Sequence, residues 1–201
     1  MENNRKLVLM DNGHGEETPG KRSPDGAFRE YDYARRVTSQ VVGDLKNRGI
    51  NAVTLVPEKT DVPLAERVRR ANAYCSEYGR ENVVLASVHC NAAGDGSRWM
   101  PAQGWAAYTS RGQTEADRLA DCLYRAAERL FGDRQIRKDL SDGDADFEAG
   151  FYILCRTLCA AVLTENFFQD NIEDVAYLCS DEGFQAIVNV HVEGLLDYLQ
   201  Y

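Results

Sequence analysis

No CxxC pair occurs among the six cysteines Cys75, Cys90, Cys122, Cys155, Cys159 and Cys179. That excludes a zinc ribbon and a dithiol redox motif. Reduced thiols are expected, which suits a chain made in the cytosol. No apolar run approaches the roughly 18 residues of a membrane span. The start does not read as a secretion signal either: residues 1–6 are polar and the apolar stretch 7–10 is too short. The expectation is a soluble chain, cytoplasmic as synthesised, with no membrane insertion. Basic residues are in the minority, 23 Lys and Arg against 32 Asp and Glu, for a net charge of −9. Such a surface repels phosphate backbones and excludes nucleic acid as an expected partner. No internal repeat, low-complexity tract or long linker interrupts the chain. Histidine is scarce, with three in 201 residues.

What is present is an alternation of strand and helix signals. Residues 6–10 form a short apolar run closed by the turn cluster Asp11-Asn12-Gly13. Over 30–48, Ala34, Val37, Val41 and Leu45 recur at helical spacing, and Gly49 stands where a helix C-cap belongs. Residues 51–56 read as a strand stopped by Pro57. Pro63 opens a second helix with Leu64, Val68 and Ala71 facing inward. Residues 82–89 are nearly all apolar, as in a central strand covered on both faces. Further strands are expected at 104–109 and 160–164, and helices at 113–131, 172–178 and 181–198. This order predicts an α/β fold: one domain over 1–201, an open, mostly parallel sheet with helices on both faces. No separate wall-binding domain is expected.

In such sheets ligands bind beyond the carboxyl ends of the strands. His14 follows the first strand in Asn12-Gly13-His14-Gly15. His89 ends the central strand, and Glu165 ends the last one. A catalytic zinc takes three protein ligands and leaves a position open. Glu30 is the best third ligand, because the Gly- and Pro-containing loop after His14 can return it to the sheet edge. Each residue has an ordinary reading: His14 as a loop residue, His89 as a packed histidine, Glu30 as a helix-start carboxylate. Glu165 is harder to explain away, since a carboxylate ending an apolar strand is costly unless paired or functional. Their joint placement favours a metal site. His191 lies on an apolar helical face and is assigned to the core.

Two motifs are rejected. Gly13-His14-Gly15 lacks the third glycine and the basic residue of a nucleotide loop. Asp142, Asp144 and Asp146 match the start of a calcium loop, but Phe147 occupies its glycine position and Ile153 its glutamate position. That stretch is expected to be a solvated loop.

The pieces Leu9-Met10-Asp11-Asn12-Gly13-His14-Gly15, Arg29-Glu30, Leu64-Ala65-Glu66-Arg67 and Ala71-Asn72 run in one order with several later ones. These are Ser87-Val88-His89-Cys90-Asn91-Ala92, Phe151-Tyr152-Ile153-Leu154, 161–168 and Glu193-Gly194-Leu195. The set resembles the zinc-dependent N-acetylmuramoyl-L-alanine amidases of the type 3 family, found in bacteria and phages. The resemblance implies one catalytic Zn2+ held by His14, Glu30 and His89, with Glu165 as the catalytic glutamate. It implies cleavage of the amide between N-acetylmuramic acid and L-alanine of the stem peptide. Two departures stand out: Asn12 where the family usually has proline, and Asn166-Phe167-Phe168 where it more often has Gly before Phe. Some members carry a long helix that blocks the zinc. The matching stretch 132–150 has no apolar helical pattern, so an open site is expected.

The expected partner is peptidoglycan or a muropeptide, taken by a monomer. The rivals are a zinc peptidase cutting within the stem peptide and a catalytically silent peptidoglycan-binding module. The wall would be reached after lysis or export. The sequence does not choose between a lysin, a recycling enzyme and a delivered one.

Overall fold

Along Leu7–Asn12 (β1), Leu7 and Leu9 point to one side of a sheet and Val8 and Met10 to the other. All four are buried, because a strand alternates its side chains and helices cover both faces. The computed structural model describes residues 6–200. The polar start read over residues 1–6 lies outside that range except for Lys6.

Six strands are described: β1, Asn51–Thr54 (β2), Val83–Asn91 (β3), Ala106–Thr109 (β4), Phe147–Glu148 (β5) and Ala160–Phe168 (β6). They lie in the order β2-β1-β3-β6-β4-β5. The pairs β1–β2, β1–β3, β3–β6 and β4–β5 are parallel, as expected. The exception is β4, which runs antiparallel to β6. Six helices accompany the sheet: Glu30–Asn47 (α1), Leu64–Tyr78 (α2), Glu115–Leu130 (α3), Tyr152–Arg156 (α4), Ile172–Cys179 (α5) and Asp181–Leu199 (α6).

Val37, Val41 and Leu45 of α1, Leu119 and Leu123 of α3, and Ile187 and Leu195 of α6 pack on the face that carries Val8, Met10 and Val162. Val68, Ala71 and Cys75 of α2, with Ile153 and Leu154 of α4, cover the face that carries Leu9, Leu85 and Leu163. His191 is a core residue, as expected. Its Nδ1 lies 2.8 Å from the Ile187 carbonyl and its Nε2 2.9 Å from the Thr164 hydroxyl. All six cysteines are free.

Several expectations need correction. Asp11 and Asn12 belong to β1, and both are buried rather than forming a turn. Pro63 precedes α2 as its N-cap. Leu64 does not face inward. It is 54% exposed, and the inward position three residues later is taken by Arg67 at 2%. The stretch 132–150 has no helix, but it does supply β5. Asp146 is not solvated: it is 1% exposed and accepts a hydrogen bond from the Thr109 hydroxyl.

Candidate active site

The parallel register of β1, β3 and β6 sets their carboxyl ends side by side. His89 and Glu165 are direct register partners on β3 and β6. The Gly13 N–H extends the pairing by donating to the Val88 carbonyl (3.0 Å) and so delivers His14 beside His89. A Cβ on Gly13 would fall 2.3 Å from the His89 ring, so only glycine admits that approach. Glu30 arrives on the first turn of α1. The loop before it folds back through an antiparallel bridge between Arg22 and Arg29, anchored by buried Phe28.

His14 has φ +61°, a left-handed backbone that a non-glycine residue rarely adopts. Two guanidinium groups hold it there. Arg35 Nη2 donates to the His14 carbonyl at 3.0 Å, and Arg67 Nη2 does so at 3.3 Å. Arg67 also pairs with Asp11 at 2.8 Å and donates to the carbonyls of Asn12 and Val62. The sequence reading gave Arg67 and Arg35 no role. The available signal was a charged residue between Leu64 and Val68, on the stripe expected to be apolar.

His89 Nδ1 lies 3.2 Å from both His14 Nε2 and Glu30 Oε1, and His14 Nε2 lies 3.4 Å from Glu30 Oε1. Ligand atoms about 2.1 Å from a tetrahedral zinc stand about 3.4 Å apart, so two imidazoles and a carboxylate at these distances fit that ion. Glu30 is fully buried, and Cys90 N–H and Gln169 Nε2 donate to its two oxygens at 3.0 and 3.2 Å. Asn166 Nδ2 donates to the His89 carbonyl, while Trp105 Nε1 fixes the Asn166 oxygen, each at 2.9 Å. Gln169 and Asn166 orient the donors and were also missed, because amides beside an apolar strand carry no pattern of their own.

Burial alone would raise the Glu30 pKa, but hydrogen bonds with the two imidazoles hold it well below the carboxylate range. Burial lowers the His14 pKa. For His89 burial acts the same way, but its hydrogen bond with Glu30 and that carboxylate's charge outweigh it, so its pKa is raised. Burial, aided by the Glu30 charge, pushes Glu165 up to about 7. Glu165 Oε2 is buried and has no hydrogen-bond partner, a free acceptor facing the group. The four residues sequence analysis singled out therefore come together. His14, His89 and Glu165 open onto one groove of about 540 Å³, walled by Val62, Leu64, Phe151 and Tyr152. No residue of 132–150 lines it.

Comparison with known proteins places the chain. Residues 8–197 match the family described as N-acetylmuramoyl-L-alanine amidase. An endolysin of Bacillus phage SPP1 is 31% identical over 198 residues, covering 96% of this chain and 66% of the endolysin. The CwlM amidase of Bacillus licheniformis is 27% identical over 94% of this chain and 66% of its own length. The chain thus spans just under two thirds of each of these two relatives. Its fold matches that of an N-acetylmuramoyl-L-alanine amidase from Clostridium difficile 630, with a TM-score of 0.83 at 22% identity and 98% of each chain covered. The CwlV catalytic domain from Bacillus (Paenibacillus) polymyxa gives 0.81 at 20% identity, covering 97% of this chain and 98% of that domain. With a family match over nearly its whole length, this chain belongs to the N-acetylmuramoyl-L-alanine amidase family.

Proposed function

We propose that this chain is a zinc-dependent hydrolase of the amide between N-acetylmuramic acid and the L-alanine of the peptidoglycan stem peptide. His14, Glu30 and His89 hold the metal, and Glu165 is the general base. The carrying observation is the set of three donor atoms at the edge lengths of a zinc tetrahedron, with the unpartnered Glu165 carboxylate opening onto the same groove.

When bound, zinc supplies a Lewis acid that acidifies water and polarises a carbonyl. The residues do the rest. Arg35 and Arg67 fix the His14 backbone, and Gln169 and the Cys90 N–H fix the Glu30 carboxylate. With an unpartnered oxygen and a place on the groove wall, Glu165 takes a proton from the attacking water and passes it to the leaving amine.

The family match and the relatives named as amidases support this choice of bond. We read the chain as one catalytic unit working as a monomer. It reaches the wall after lysis or export, and a relative named endolysin supports the former. Among the described residues, no helix is long and apolar enough to cross a membrane. Mass spectrometry of digested peptidoglycan, with and without chelator, tests the reading. Stem peptides with new L-alanine amino termini and intact glycan strands bearing free lactyl carboxylates are expected, and only without chelator. Cuts within the stem peptide would transfer the site to a peptidase, and unchanged wall would reduce the chain to a binding module.

A further inference from the structure

Away from the groove, α3 and the segment leading into β5 place three carboxylates together. Asp117, Asp144 and Asp146 each offer an oxygen within 4.8 Å of the others. Asp117 lies in the first turn of α3, in a capping box with Thr114. Asp146 is 1% exposed. Its Oδ2 accepts from the Thr109 hydroxyl, and its Oδ1 is buried with no hydrogen-bond partner. Asp144 Oδ1 is in the same condition.

An unpaired buried carboxylate oxygen is costly, and two in one cluster demand a cation or a proton. No arginine or lysine supplies the charge: among the described residues none of the three has an ion-pair partner, and the nearby Arg118 guanidinium turns to Glu115 instead (3.1 Å). Asp117 and Asp144 line an open groove of about 810 Å³, together with Asp121 and Asp142, so an ion can approach two of the three carboxylates with its water.

We propose that Asp117, Asp144 and Asp146 form a binding site for Ca2+, separate from the zinc site. The donors are all oxygen, which suits a hard cation and not zinc. They come from a helix and a loop, an irregular arrangement that calcium tolerates and that magnesium, with its strict octahedron, does not. Burial, reinforced by the charges of Asp144 and Asp117, also pushes the Asp146 carboxyl up to about 7, consistent with a missing counter-charge. A bound ion would pin the segment 139–148 to α3. Phe147 stacks on Tyr108, and Tyr108 meets Phe151 on the groove wall, so the pin also steadies that wall.

The test is calorimetric titration of CaCl2 into the full chain already loaded with zinc at pH 8, where His14, Glu30 and His89 are filled. One calcium is expected to bind. Calcium at about a hundred times its Kd should raise the Tm by roughly 5–10 °C. D144N and D146N should each weaken binding at least tenfold. Asp144 lies in a loop, so D144N carries the test if D146N fails to fold. Binding that D144N leaves intact, a Tm shift that MgCl2 reproduces at equal concentration, or no binding up to millimolar CaCl2 would each overturn the site.

Discussion

Phe167 has φ +63°, in the left-handed region that favours glycine. It stands where the resembling family more often carries glycine, two positions after Glu165. The backbone needs that conformation because β6 breaks register with β3 between His89 and Asn91. Phe167 answers the strain, about 1–2 kcal/mol, by packing its ring against Phe131 and Tyr177. Phe167→Gly removes strain and ring together. Ring burial is the larger effect at about 3–5 kcal/mol, so urea unfolding should show a net loss of about 2 kcal/mol. Glu165→Gln keeps the shape and removes the base: turnover should drop about 10²–10⁴-fold while zinc content by mass spectrometry is unchanged. Concurrent loss of zinc would make Glu165 a ligand. His191 gives a pH signature. Burial holds its pKa near 4, so the folded imidazole stays neutral while the unfolded one takes a proton below about 6.5. Stability is therefore complete above about pH 6.5 and falls by about 3 kcal/mol as pH drops through 4. His191→Gln should flatten that slope in urea titrations between pH 7 and 4.

At the scale of elements, the long helices and buried strands were legible because their apolar residues repeat at 3.6 or 2 residues. The shortest strand, β5, and the shortest α-helix, α4, were not. Two residues of β5 and five of α4 carry no period, and the direction of β4 depends on pairing with β6, which no local pattern encodes. His14, His89 and Glu165 could be placed at strand ends. The adjacency of β1, β3 and β6 that brings them into contact is a tertiary fact. Asp146 was misread because its hydrogen-bond partner Thr109 sits on a different element, β4, outside any loop template. Arg67 links elements, running from α2 to the end of β1. Breaking a buried ion pair strands the remaining charge, so Arg67→Met should cost about 3–5 kcal/mol. It should also weaken zinc binding by freeing the His14 carbonyl. Chelator competition measures that second effect, and unchanged zinc affinity would limit Arg67 to holding Asp11.

For the whole molecule, the metal should act as a staple. Its proposed ligands come from the loop after β1, the start of α1 and the end of β3, so binding joins three separate parts of the chain. Stripping zinc should lower the Tm by about 8–16 °C relative to protein in zinc at a thousand times its Kd, and re-addition should restore it. Scanning calorimetry with a chelator checks this. The sheet's outermost strands have a consequence of another kind. One border is four residues long and the other two. Each offers only a brief stretch of edge backbone, too little to recruit a neighbouring molecule into a continuous ladder. With the excess negative charge adding mutual repulsion, both features disfavour strand-to-strand association between folded copies.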